Sequence, residues 1–157
     1  ATGDAQDYEW FLNKYTNATT PQERIRMLYA LAEFNSEELM ERTTAFAFTD
    51  AVKTQDAPFL LNRCIANRHH GVVAWAAVRK NWVKANKEFP GNTIVRMISS
   101  VTTLNSESLE AEVQAFFSEH TIPQATKTLD QVLERQRVNV ALRKREEKSL
   151  AKTLMGH

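Results

Sequence analysis

Apolar residues recur three and four positions apart along almost the whole chain, the spacing that gathers them on one face of an α-helix. Nowhere does an alternating pattern predict a strand. Residues 4 to about 18 predict a first helix with Trp10, Phe11 and Tyr15 as its apolar stripe. Thr20-Pro21-Gln22-Glu23 reads as the start of a second: a capping threonine, a proline at the first helical position and a glutamate placed to close the box. This helix runs to about residue 34 and buries Ile25, Leu28, Leu31 and Ala32. Ser36 is expected to cap a third, anchored by Leu39, Met40 and Phe46. Asp56-Ala57-Pro58 opens a fourth through Leu60, Leu61, Cys64 and Ile65, where Asp56 is expected to accept from orphan first-turn amides, a cap worth about 1 kcal/mol. His69, His70 and Gly71 mark a break or a tight junction. The next helix carries Val73, Trp75, Val78 and Trp82 and ends near Phe89-Pro90-Gly91. Trp75 and Trp82 stand seven apart, on one face, and read as core. A short apolar helix over 93–101 contains Ile94, Met97 and Ile98, and Ser106 caps the next, which turns Leu109, Val113, Phe116 and Phe117 inward. Thr121-Ile122-Pro123 starts a final stretch reaching about residue 154. Its stripe (Ile122, Ala125, Leu129, Val132, Leu133) changes phase after Gln136 towards Val138 and Leu142, which predicts a kink or two helices in series.

The fold class that follows is all-α. Helices of about 10 to 17 residues with short links form antiparallel pairs, and stacked pairs would build a curved, HEAT-like α-superhelical layer. No repeat of about 40 residues stands out, so the stacking is not read from periodicity. A length of 157 residues suits one domain.

Composition narrows the function more than the fold. A hydrophobic fraction of 43% suffices for a core without cross-links, and a single cysteine, Cys64, rules out an internal disulfide framework. A reducing, cytoplasmic setting is the simplest expectation. With a net charge of +1 and acids and bases interspersed, no basic face for nucleic acid is expected. The run Arg143-Lys144-Arg145-Glu146-Glu147-Lys148 is interrupted by its glutamates and reads as a solvated helix face. No apolar run is long enough to span a bilayer. The start at Ala1-Thr2-Gly3-Asp4, without methionine or a signal peptide, is expected of a mature or excised piece of a longer protein.

A zinc peptidase centre needs ligands at fixed helical spacing, such as H-E-x-x-H. Here the histidines are His69, His70, His120 and His157, none with a histidine three or four residues away. No catalytic or metal-binding set is therefore assigned to this chain, and Cys64 in its apolar helix reads as core, not as a nucleophile. Asn67-Arg68-His69-His70-Gly71 concentrates polar and titratable groups at a junction. Arg68, His69 and His70 are the candidates for facing a peptide or a neighbouring domain; the plainer reading is a turn made by the asparagine and glycine, with solvated histidines. Asp56, Gly71, Trp75 and Trp82 are read as structural.

Several stretches, in order, resemble the C-terminal helical domain of gluzincin zinc aminopeptidases of the aminopeptidase N kind. They are Tyr8-Glu9-Trp10-Phe11 through Thr20-Pro21-Gln22-Glu23 to Leu28-Tyr29-Ala30-Leu31-Ala32; Val52-Lys53-Thr54-Gln55-Asp56; Gly71-Val72-Val73-Ala74-Trp75 with Asn81-Trp82; Glu112-Val113-Gln114-Ala115-Phe116-Phe117; and Leu129-Asp130-Gln131-Val132-Leu133-Glu134 followed by Asn139. The run from Glu134 to Arg143 is most similar to bacterial members. Two positions depart: many relatives carry Asn-Pro where this chain has Arg68-His69, and tryptophan where Leu142 stands. The resemblance implies residues 1–157 as the helical C-terminal domain of a larger peptidase, with zinc held in a catalytic domain outside this chain. It further implies a parent that removes N-terminal residues from peptides, and a domain whose partners are that catalytic domain and peptide substrates, over which it closes to wall an access chamber. The competing expectation is a free-standing helical-repeat module that binds a protein or peptide on its concave face.

Overall fold

A computed structural model of the chain describes residues 4–156. The described residues form helices only: α1 (Ala5–Thr16), α2 (Pro21–Ala30), α3 (Glu37–Ala47), α4 (Ala57–Ile65), α5 (Gly71–Lys80), α6 (Trp82–Glu88), α7 (Gly91–Ile98), α8 (Glu107–Glu119) and α9 (Thr126–Met155). Short 3₁₀ turns stand at Leu31–Glu33, Ser99–Thr103 and Pro123–Ala125. Packing divides the chain into two compact units, Ala1–Ser100 and Val101–His157.

In the first unit consecutive helices pack as antiparallel pairs of the HEAT-like kind, α1 on α2 and α3 on α4, and α4 is also flanked by α5 and α7. Local chemistry sets the starts. Asp4 Oδ1 accepts from the amides of Gln6 and Asp7 at 2.9 and 3.1 Å, Thr20 Oγ1 from Glu23 at 3.2 Å, and Ser36 Oγ from Leu39 at 3.2 Å. Each occupies a donor that the first turn of a helix leaves over. Leu60, Leu61, Cys64 and Ile65 on α4 are all buried, together with Leu28, Leu31, Met40, Trp75, Val78, Met97 and Ile98. Burial pushes the Cys64 thiol up, so the group stays a neutral, packed thiol.

The stripe of α1 differs from expectation. Trp10 is 51% exposed while Tyr8 is fully buried. The Tyr8 hydroxyl lies 2.8 Å from Thr43 Oγ1, and its ring meets Phe34 edge-on at 5.3 Å. A buried phenol needs a partner, and Thr43 supplies one that an indole at position 10 does not have. Tyr15 makes a parallel tie, donating to the Ala51 carbonyl at 2.5 Å.

The helix expected from Gly71 to Phe89 is two. Asn81, at φ −104° and ψ 18°, ends α5, and its Nδ2 donates to the Ala77 carbonyl at 2.8 Å beside its own amide at 3.1 Å. Asparagine competes with the backbone in this way and breaks helices. Trp75 and Trp82 therefore sit on different helices, yet both are buried.

In the second unit Ser106 Oγ accepts from the Leu109 amide at 3.2 Å to start α8, which packs against α9. Helix α9 is uninterrupted over its 30 residues, so the stretch is one helix and not two in series. The buried stripe runs on through the position where a change of phase was expected, because Gln136 is itself fully buried between Leu129 and Val140. Its Nε2 donates to the Leu104 carbonyl at 2.9 Å. Val138 and Leu142, expected inside, are 55% and 47% exposed. Asn139, Arg143 and Lys144 continue the seam, bonding Thr102 O, Asn105 Oδ1 and Glu107 Oε1 at 2.8, 2.7 and 2.6 Å.

Candidate functional site

The junction between α4 and α5 (residues 66–70) is organised by Asn67. Its Nδ2 donates to the carbonyls of Ala32 and Phe34 at 2.8 and 3.2 Å, and its Oδ1 accepts from the amides of His69 and His70 at 2.9 and 3.0 Å. One amide group thus turns the chain into α5 and ties that turn to the segment after α2. Gly71, the first residue of α5, is buried. His70 is held by Asn35, with Nε2 2.9 Å from Oδ1, whereas Arg68 and His69 are exposed.

The sequence candidates are therefore separated. Arg68 and His69 line an open cavity of ≈ 580 Å³ together with Tyr29, Glu33, Phe59, Asn62, Arg63, Ala66 and Asn67. His70 is not among its walls. A second cavity of ≈ 670 Å³ shares Tyr29, Glu33 and Arg63 and is completed by Pro21, Gln22, Ile25, Arg26 and Ala30. At their junction the Arg63 guanidinium lies over the Tyr29 ring, 4.5 Å from its centroid, a cation–π arrangement. Burial, and secondarily the Asp56 carboxylate, raises the Tyr29 phenol above its usual value while Arg63 lowers it, so Tyr29 is a neutral hydroxyl throughout the physiological range.

Sequence reasoning passed over Tyr29, Arg63, Arg26 and Glu33. The signal was present: Gln22, Arg26, Tyr29 and Glu33 follow one another at helical spacing on the outer side of a helix whose other side is core. Its pairing with Asn62, Arg63 and Ala66 needs the apposition of α2 and α4, which spacing does not supply.

Asp56 stands at the N-cap of α4 but makes no capping bond through its side chain. The available donors are already used. The Ala57 amide bonds Lys53 O at 3.0 Å, Pro58 has none, and the Phe59 amide bonds the Asp56 carbonyl at 3.1 Å. Asp56 instead lines a cavity with Arg24, Lys53 and Thr20. Burial holds it above the ordinary carboxylate range, outweighing Lys53 and then Arg24, which lower it. A carboxyl raised on folding disfavours the fold where it must ionise: the cost is absent below its unfolded pKa and grows as pH rises through the folded one. Asp56→Asn is accordingly expected to raise the thermal midpoint by about 1–2 °C at neutral pH and to leave it unchanged in acid. Circular dichroism melts at both pH values check this, and a loss of stability at neutral pH would restore the capping role.

Trp75 and Trp82 are core residues, 0% and 4% exposed, with no face open to a ligand. His120, in the second unit, stacks on Phe116 at 4.2 Å and places Nδ1 2.9 Å from the Phe116 carbonyl; His157 lies outside the described residues. Among the described residues no three His, Cys, Asp or Glu side chains gather so as to hold a metal ion. Nor is any described helix long and apolar enough to cross a membrane.

Residues 1–138 match the family model described as "ERAP1-like C-terminal domain". Among curated relatives, Aminopeptidase M1-D of Oryza sativa subsp. japonica is 31% identical over 134 residues, which cover 84% of this chain and 15% of that protein. The alanine/arginine aminopeptidase of Saccharomyces cerevisiae is 27% identical over 158 residues, 99% of this chain and 18% of the relative. The glutamyl aminopeptidase of Bitis rhinoceros is 29% identical over 123 residues, 76% of this chain and 13% of the relative. The chain thus spans less than a fifth of the length of these relatives.

Proposed function

The chain belongs to the ERAP1-like C-terminal domain family, as a C-terminal domain of an M1-family aminopeptidase, and from this we propose that it is the non-catalytic lid of such an enzyme. In this reading both compact units act together as one C-terminal domain. It caps a zinc-bearing catalytic domain carried elsewhere in the parent polypeptide and walls the chamber through which peptides reach it. The parent removes N-terminal residues from peptides, and the partners of this chain are that catalytic domain and those peptides. Its kinship to bacterial members rests on the Glu134–Arg143 run alone. The observation that carries the proposal is the family match over residues 1–138; the all-helical build and the open cavities of the first unit support it.

The chain alone is expected to turn over no aminoacyl reporter, with or without added zinc. Added in trans to the separately produced upstream portion of its parent, it is expected to restore cleavage of peptides. Chelator-sensitive turnover by the pure chain, or an upstream portion indifferent to its addition, defeats the proposal.

A further inference from the structure

The two cavities that meet at Arg63 form one trough along α2 and α4, apolar at one end and cationic at the other. The geometry points to an occupant: an extended peptide segment in which large apolar side chains adjoin acidic ones. This deepens the proposed function and rests on it for one premise, that peptides are what the parent handles.

At the apolar end, Ile25, Tyr29 and Ala30 offer a carbon-rich wall to a wide, open depression of ≈ 670 Å³. At the other end the polar side chains differ in availability. Asn62 is engaged by the Arg96 carbonyl and Ser99 Oγ at 2.5 and 2.9 Å, and Asn67 by the junction already described. Arg63 and Arg68 are exposed, and among the described residues neither is in an ion pair. Arg63, over Tyr29 and without a carboxylate partner among the described residues, offers a guanidinium to a carboxylate, the bidentate pairing for which that group is built. With Arg26 on the rim and Glu33 as the one acid in the lining, the balance is positive and selects an anionic partner.

The test uses the isotope-labelled chain titrated by NMR with acetylated, amidated hexapeptides, so that no terminal charge contributes. One peptide has Leu-Leu-Glu-Glu at its centre, one Leu-Leu-Lys-Lys and one Ala-Ala-Glu-Glu. The first is expected to shift the amides of Ile25, Tyr29, Arg63 and Arg68 and to bind about tenfold more tightly than either control. Arg63→Glu and Arg68→Glu, both at exposed positions, are expected each to weaken it by about tenfold at low salt while preserving the helical spectrum. Equal affinity for the lysine peptide, shifts confined to other surfaces, no binding, or indifference to both variants overturns the inference. A chain that restores activity to the upstream portion but fails this titration keeps the lid and loses the trough. Binding without restoration has the converse meaning.

Discussion

Replacing Trp75 by alanine is expected to destabilise the first unit by about 3–5 kcal/mol, the range for deleting a large aromatic from a packed interior. Trp75 is fully buried in the unit's core, on α5 beside α3 and α4. The truncation removes most of its buried apolar area and leaves a cavity that neighbours on rigid helices close only in part. Set against a domain stability of roughly 5–15 kcal/mol, the change should move the urea midpoint far enough to leave the unit partly unfolded at 37 °C. Trp10→Ala is the matched control. That indole is 51% exposed, and its loss is expected to stay within about 0.5 kcal/mol. Similar effects for the two would mean that Trp75 is not in the core.

Asn67→Ala is expected to cost about 2–4 kcal/mol, far beyond an ordinary turn substitution. The side chain makes four hydrogen bonds, and its two donated ones reach carbonyls of the buried residues Ala32 and Phe34. Removing the donor leaves those oxygens desolvated without a partner, whereas the amides of His69 and His70 can turn to water. Asn67→Asp separates the two functions. It keeps the acceptor for both amides but presents no donor, and at neutral pH brings a negative charge to the carbonyls. If the residue served only to turn the chain, the aspartate would be tolerated. We expect it instead to be at least as damaging as alanine in chemical denaturation, and less so in acid, where the protonated carboxyl regains a donor.

These two residues mark how far the sequence could be read. Trp75 was legible because a large apolar side chain on a periodic face has essentially one fate. The caps at Thr20, Ser36 and Ser106 were legible for a different reason: donor and acceptor lie within three residues of each other, so no tertiary information is needed. Asp56 looked alike and behaved differently, because Pro58 removes one amide and Lys53 O occupies another before the carboxylate can reach it. Tyr8 was overlooked since its claim on the interior is the Thr43 hydroxyl, 35 positions away. Gln136 misled in the same manner. A glutamine in an apolar stripe reads as a break in phase until the Leu104 carbonyl that it satisfies is in view. The candidate site follows this rule. Arg68 and His69 were found because titratable groups cluster there in sequence, but the trough they border is made by two helices whose facing sides look, one at a time, like ordinary solvated surface.

The burial of Cys64 has a practical corollary. The molecule carries one sulfhydryl, enclosed within α4 and unreactive while the helices around it stay closed. Any alkylating reagent added to the native chain must wait for the interior to breathe, so the pace of labelling at this atom is a clock for opening of the first unit. The second unit contributes no thiol to that signal.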